Sequence, residues 1–145
     1  MKIAIGCDHG AYELKLTVID FLKSKGYEIT DMGCDSTKSC DYPEYGRAVA
    51  LAVANGEADK GIVMCTTGIG ISIVANKVPG IRAALCTNET VAALTRLHND
   101  ANVLALGAGI VGPNLALNIV DTFLTTDFSN EEKHVRRISK IEPKE

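Results

Sequence analysis

Apolar and polar positions along the chain follow two rhythms. Short, mostly apolar segments at 2–6, 27–32, 60–65, 81–86 and 101–106 read as strands. Between them apolar residues recur at helical spacing: Leu14, Val18, Phe21 and Leu22 before Gly26, and Ala48, Val49, Ala52 and Val53 between Pro43 and Gly56. Ile69, Ile71, Ile73, Val74 and Ala75 supply the buried side of a short third helix. Asn88 caps a fourth reaching Leu97, with Val91, Leu94 and Thr95 on one side, and Pro113 opens a fifth running to Leu124. After a polar break at 127–132 comes a basic helix over 133–141.

Strand and helix alternate in units of about thirty residues, the size of a βαβ unit. The expected fold is therefore an α/β protein, a three-layer α/β/α sandwich around a five-stranded parallel, Rossmann-like sheet, in one domain over 1–145. Ligands of such sheets bind outside the carboxyl ends of the strands. Asp8 and His9 after the first strand, and Cys65, Thr66 and Thr67 after the third, all fall on that edge.

The third strand ends in Cys65-Thr66-Thr67-Gly68-Ile69-Gly70, a thiol and two hydroxyls leading into a glycine turn and a helix start. Unpaired amides at a helix start carry partial positive charge, and glycine lets backbone approach a ligand closely. A thiolate beside them would be stabilised and could serve as base or nucleophile. A free cysteine in an arbitrary strand is usually a small buried hydrophobe; the position of Cys65 at a strand end argues for chemistry instead.

Composition narrows the partner. A net charge of -3 gives no electrostatic argument for nucleic acid or an anionic membrane, and no apolar run is long enough to span a bilayer. The start of the chain reads as a strand rather than a signal peptide, so a cytoplasmic protein is expected. Five cysteines, Cys7, Cys34, Cys40, Cys65 and Cys86, form no C-x-x-C pair and no metal-ligand spacing, which argues for reduced thiols and against a metal site. Gly107-Ala108-Gly109-Ile110-Val111-Gly112 matches the dinucleotide fingerprint, but no strand with a terminal acid follows it. It reads better as a tight strand-to-helix turn, with a flavodoxin-like nucleotide-binding module as the non-enzymatic alternative.

Of three histidines, His9 and His98 occupy loops next to strands, where an imidazole can act as general acid or base. His98 lies at the amino-terminal edge of the fifth strand, the wrong end to meet Cys65 of its own chain, so a role for it requires a second subunit. Lys133 and Arg137 share a helix face beside His134 and could hold a phosphate.

These residues together resemble the type B ribose-5-phosphate isomerases of the ribose and galactose phosphate isomerase family. The resemblance runs through Gly6-Cys7-Asp8-His9, Asp41-Tyr42-Pro43, 65–70, Asn76-Lys77-Val78-Pro79-Gly80-Ile81-Arg82 and 98–103. It implies a metal-free, cofactor-free aldose–ketose isomerase, a homodimer whose active sites combine residues of both chains, or a tetramer made of two such dimers. By the same resemblance Cys65 moves a proton between C1 and C2 of ribose 5-phosphate through an enediolate. The backbone of Thr66, Thr67, Gly68, Ile69 and Gly70, with the Thr67 hydroxyl, holds the oxyanion. His98, aided by Asp8, opens the sugar ring; His9, Tyr42 and Asn99 bind hydroxyls; Lys133, His134 and Arg137 bind phosphate.

Three positions depart from the family pattern. Thr66 stands where glycine is usual and would crowd the turn, Gly109 where a phosphate-binding arginine is common, and Lys133 in place of another arginine. The phosphate grip is thereby expected to weaken, with action on free sugars or on allose or galactose 6-phosphate as alternatives.

Overall fold

The structure, a computed structural model, describes residues 1–143; the last two residues of the domain expected over 1–145 lie outside them. Five strands, β1 (Lys2–Cys7), β2 (Glu28–Asp31), β3 (Lys60–Cys65), β4 (Ala83–Leu85) and β5 (Val103–Gly107), form one sheet in the order β2-β1-β3-β5-β4. Every pairing is parallel, with Cys7 opposite Met64 and Cys65 opposite Gly107. The expected three-layer architecture is present. α1 (Tyr12–Ser24), α4 (Glu89–Asn99) and α5 (Pro113–Thr125) cover one face. α2 (Tyr42–Ala54) and α3 (Ile69–Ala75) cover the other, and α6 (Glu132–Ile138) packs on α4.

Side chains alternate along the strands and divide the core in two. Ile3, Ile5, Ile62, Met64, Leu104 and Leu106 face the α1/α5 layer, where Phe123 and Leu22 fill the space. Toward α2 the sheet presents small residues, Ala4, Gly6 and Gly61. A Cβ on Gly6 or Gly61 would come within 2.8 and 2.7 Å of the two methyls of Val49, so the missing side chains let α2 seat directly on the sheet. This brings the start of α2, with Tyr42, close to the end of β3.

Two helices bury other faces than the apolar pattern indicates. Ile69 and Ile73 were expected inside, yet they are 53% and 54% exposed, while Ile71, Ser72 and Ala75 are buried. A spacing of two residues turns a helix by about 200°, so alternating isoleucines cannot share one face. In α4 the buried residues are Ala92, Thr95 and Arg96, and Val91 and Leu94 point to solvent. The stripe is turned by one residue because Arg96 is an interior side chain. Its guanidinium donates to Asp100 Oδ1 (2.7 Å), to the Ala101 carbonyl (2.6 Å) and to the Thr126 carbonyl (3.0 Å), and lies over Phe123.

Boundaries also shift. β4 spans three residues rather than six, since the Arg82 N–H is taken by Asn102 Oδ1. His98 and Asn99 belong to the last turn of α4, which Asp100 ends in a left-handed conformation (φ 44°). α6 begins at Glu132 and ends at Ile138, short of the expected residue 141.

Candidate active site

After β1 the chain turns to α1 and β2, then crosses back to place β3 on the other side of β1. The carboxyl ends of β1 and β3 therefore flank a topological switch point, where a parallel sheet opens a crevice. An open cleft of about 370 Å³ lies there, lined by Asp8, Tyr42, Cys65, Thr66, Thr67, Ile69 and Gly70.

Cys65 is 5% exposed and its Sγ accepts a hydrogen bond from the Gly68 amide (3.1 Å). Gly68 has φ +76°, and a Cβ there would meet Leu85 Cδ1 and the Leu106 carbonyl carbon at 2.6 and 2.7 Å, so only glycine turns the chain back onto the sulfur. Thr67 Oγ1 accepts from the Ile69 amide (3.2 Å), which directs the first turn of α3 toward the cleft. Gly70 lets the Tyr42 ring lie across that turn: a Cβ there would meet the phenol at 2.6 to 2.8 Å.

On the β1 side, Asp8 is buried and its Oδ1 accepts from the Gly10 amide (3.0 Å). His9 Nδ1 accepts from the Cys40 amide (3.2 Å), which leaves its Nε2 as the N–H. The loop bearing Cys40 is anchored by Lys15, which sequence reading missed. It is 1% exposed, and its Nζ donates to Asp31 Oδ1 (2.7 Å) and the Cys34 carbonyl (2.5 Å). Its charge marked it as a surface residue; the one available signal was its position among the apolar residues of α1.

Cys7, Cys34 and Cys86 are buried, whereas Cys40 is half-buried with its Sγ 3.9 Å from His9 Nδ1. Burial pushes Cys86 up to about 12, burial and the neighbouring Cys34 push Cys7 up to about 12, and burial raises Cys40.

Thr66 fits without crowding, contrary to expectation, because it stands between two glycines. A Cβ on Gly10 would collide with its Oγ1, and a Cβ on Gly109 would lie 3.1 Å from both its Cγ2 and its carbonyl oxygen. Thr66 and Gly109 are therefore in contact: the threonine methyl lies in the approach that a side chain at 109 would take. The glycine turn after β5 is bonded to the strand end, Ala108 N to the Cys65 carbonyl (2.9 Å) and Gly109 N to the Thr66 carbonyl (2.8 Å). Those amides are engaged by protein and do not form a pyrophosphate cradle.

His98 and Asn99 lie at the opposite edge of the sheet from Cys65, beside the amino-terminal end of β5. There His98 stacks on His134, ring centroids 4.5 Å apart. Lys133 and Arg137 are exposed nearby, Lys133 Nζ 3.5 Å from Glu131 Oε2. The cleft residues and this basic cluster therefore lie at opposite edges of one chain. Among the described residues no cluster of His, Cys, Asp or Glu has the makings of a metal site, and no helix is long and apolar enough to cross a membrane.

The chain matches the profile of the Ribose/Galactose Isomerase family over residues 3–141. It is 48% identical to ribose-5-phosphate isomerase B of Escherichia coli over 140 residues, covering 97% of this chain and 93% of that protein. It is 42% identical to galactose-6-phosphate isomerase subunit LacB of Clostridium acetobutylicum, covering 98% of this chain and 82% of that protein. Among solved structures, ribose-5-phosphate isomerase B of Clostridium thermocellum superposes with a TM-score of 0.96 at 57% identity, covering 97% of this chain and 95% of that one.

Proposed function

The chain belongs to the ribose/galactose isomerase family, and on that premise we propose that it interconverts ribose 5-phosphate and ribulose 5-phosphate with Cys65 as the base. One observation carries the assignment of the base: Cys65 lines the cleft at the switch point and its sulfur receives the amide of Gly68. With the sugar open, the thiolate takes the proton from C2. The charge delocalises onto the C1 oxygen, where the Thr67 hydroxyl and the backbone of Thr66 to Gly70 hold it. Transfer of the O2 proton to O1 and return of the carbon-bound proton to C1 give the ketose, so atoms balance without a redox partner. His98, with Asp8, opens the ring; His9, Tyr42 and Asn99 hold hydroxyls; Lys133 and Arg137 hold phosphate.

This division of roles requires a homodimer in which one protomer's cleft receives the partner's His98 and basic helix. Ile69 and Ile73, exposed on α3 beside the cleft, are apolar surface for a partner to cover. We assign the enzyme, acting as a single catalytic domain, to the cytoplasm. The test is a coupled assay on Cys65→Ala: loss of a general base lowers kcat by about 10³, whereas equal rates for variant and wild type overturn the assignment.

A second reading, weaker dependence on phosphate, is favoured by the packing of Thr66 against Gly109, a position that offers no side chain to a phosphate. Comparable kcat/KM on ribose and ribose 5-phosphate supports it, and a strong phosphate requirement contradicts it.

A further inference from the structure

His134 is the buried residue of α6, 7% exposed, while Lys133 and Arg137 on either side stand in solvent. Its ring lies against that of His98 with planes 19° apart. The backbone beneath His98 is held from the other side. Arg82 Nε donates to the Asn99 and Asp100 carbonyls (2.9 and 3.2 Å) and its Nη2 to the Asp100 carbonyl (2.9 Å), while Arg96 ties Asp100 Oδ1 and the Ala101 carbonyl. What remains free at His98 is side-chain rotation, and an exposed side chain samples several rotamers. A flat neighbour removes that freedom but leaves the ring's edge, which carries both nitrogens, uncovered.

We propose that His134 is a positioning residue for His98: its imidazole, laid flat on the His98 ring, fixes the plane in which His98 presents its nitrogens to the sugar in the partner's cleft. The proposal rests on the reading that His98 opens the ring, and it gives His134 a different task from the phosphate contact implied by resemblance. The charged and titratable groups around His134 are His98 from α4 and Glu131, Lys133 and Arg137 from its own segment. Burial first, then His98, lowers its pKa; Glu131 opposes, and Lys133 and Arg137 add to the lowering. A neutral His134 does not compete with His98 for the proton that reaches the sugar.

Steady-state kinetics on ribose 5-phosphate with the full-length oligomer separate the two tasks. His134→Ala is expected to lower kcat by about tenfold, the scale of a misplaced catalytic group, with KM within about twofold. His134→Phe, which keeps a flat ring but has no nitrogen for a phosphate, is expected to recover kcat to within about threefold of wild type at unchanged KM. A KM raised in both variants overturns the proposal in favour of a phosphate contact, and a Phe variant as slow as the Ala variant overturns stacking. His98→Asn is the control: if it isomerises normally, the ring-opening role of His98 fails. If it is impaired while both His134 variants behave as wild type, only the positioning role fails.

Discussion

Thr66 is the residue on which the proposed change in phosphate dependence turns. It sits between Gly10 and Gly109, and a Cβ at 109 would press on its methyl and its carbonyl oxygen. Gly109→Arg alone is therefore expected to lower thermal stability and leave the KM for ribose 5-phosphate unimproved, whereas the same change with Thr66→Gly is expected to lower that KM. A double-mutant cycle on stability and KM measures the coupling, expected at about 1–3 kcal/mol for residues in contact. Additive effects would mean that the two positions are independent. The stretch from Cys65 to Gly70 was legible in sequence because a thiol, hydroxyls and glycines at a strand end announce local chemistry. Lys15 and Arg96 were not, because their charge alone reads as surface and the partners of Lys15, Asp31 and the Cys34 carbonyl, like the Thr126 carbonyl that holds Arg96, are distant along the chain.

At the scale of elements, the strands and their order of appearance followed from apolar runs, but helix faces did so only where spacing was truly helical. α1 and α2 bury the face their apolar spacing indicates; α3 does not, because residues two apart in sequence oppose each other on a helix, and α4 is turned by one residue because its buried Arg96 gives no apolar signal. α6 docks on α4 through one buried imidazole, and this makes its attachment pH-dependent. The His134 pKa is lowered on folding, so between that value and its ordinary 6.5 the unfolded chain binds a proton that the folded chain does not. Stability is full above pH 6.5 and declines as pH falls through that window, by linkage. Melting temperatures across pH 7.5 to 5 are expected to fall less for His134→Phe than for wild type, and parallel curves would contradict this.

For the whole molecule, the fold puts the two parts of the proposed site at opposite edges of the sheet, Cys65 at one and His98 with the basic helix at the other. No rearrangement of loops closes that distance, whereas a two-fold partner does so by symmetry. In the proposed homodimer the partner covers the apolar side chains Ile69 and Ile73, exposed on α3 next to the cleft. Ile73→Lys, a change within about 0.5 kcal/mol of neutral on an ordinary surface, is expected to shift the protein to monomers by analytical ultracentrifugation and to lower kcat in parallel. The measurement that bears most directly on the account mixes two inactive variants. Cys65→Ala and His98→Asn protomers, co-refolded so that they form mixed dimers, carry both lesions in one shared site and neither in the other. Recovery of about a quarter of wild-type specific activity is predicted from random pairing of protomers in a two-fold dimer; a mixture that forms mixed dimers by native mass spectrometry yet stays inactive would contradict the shared site.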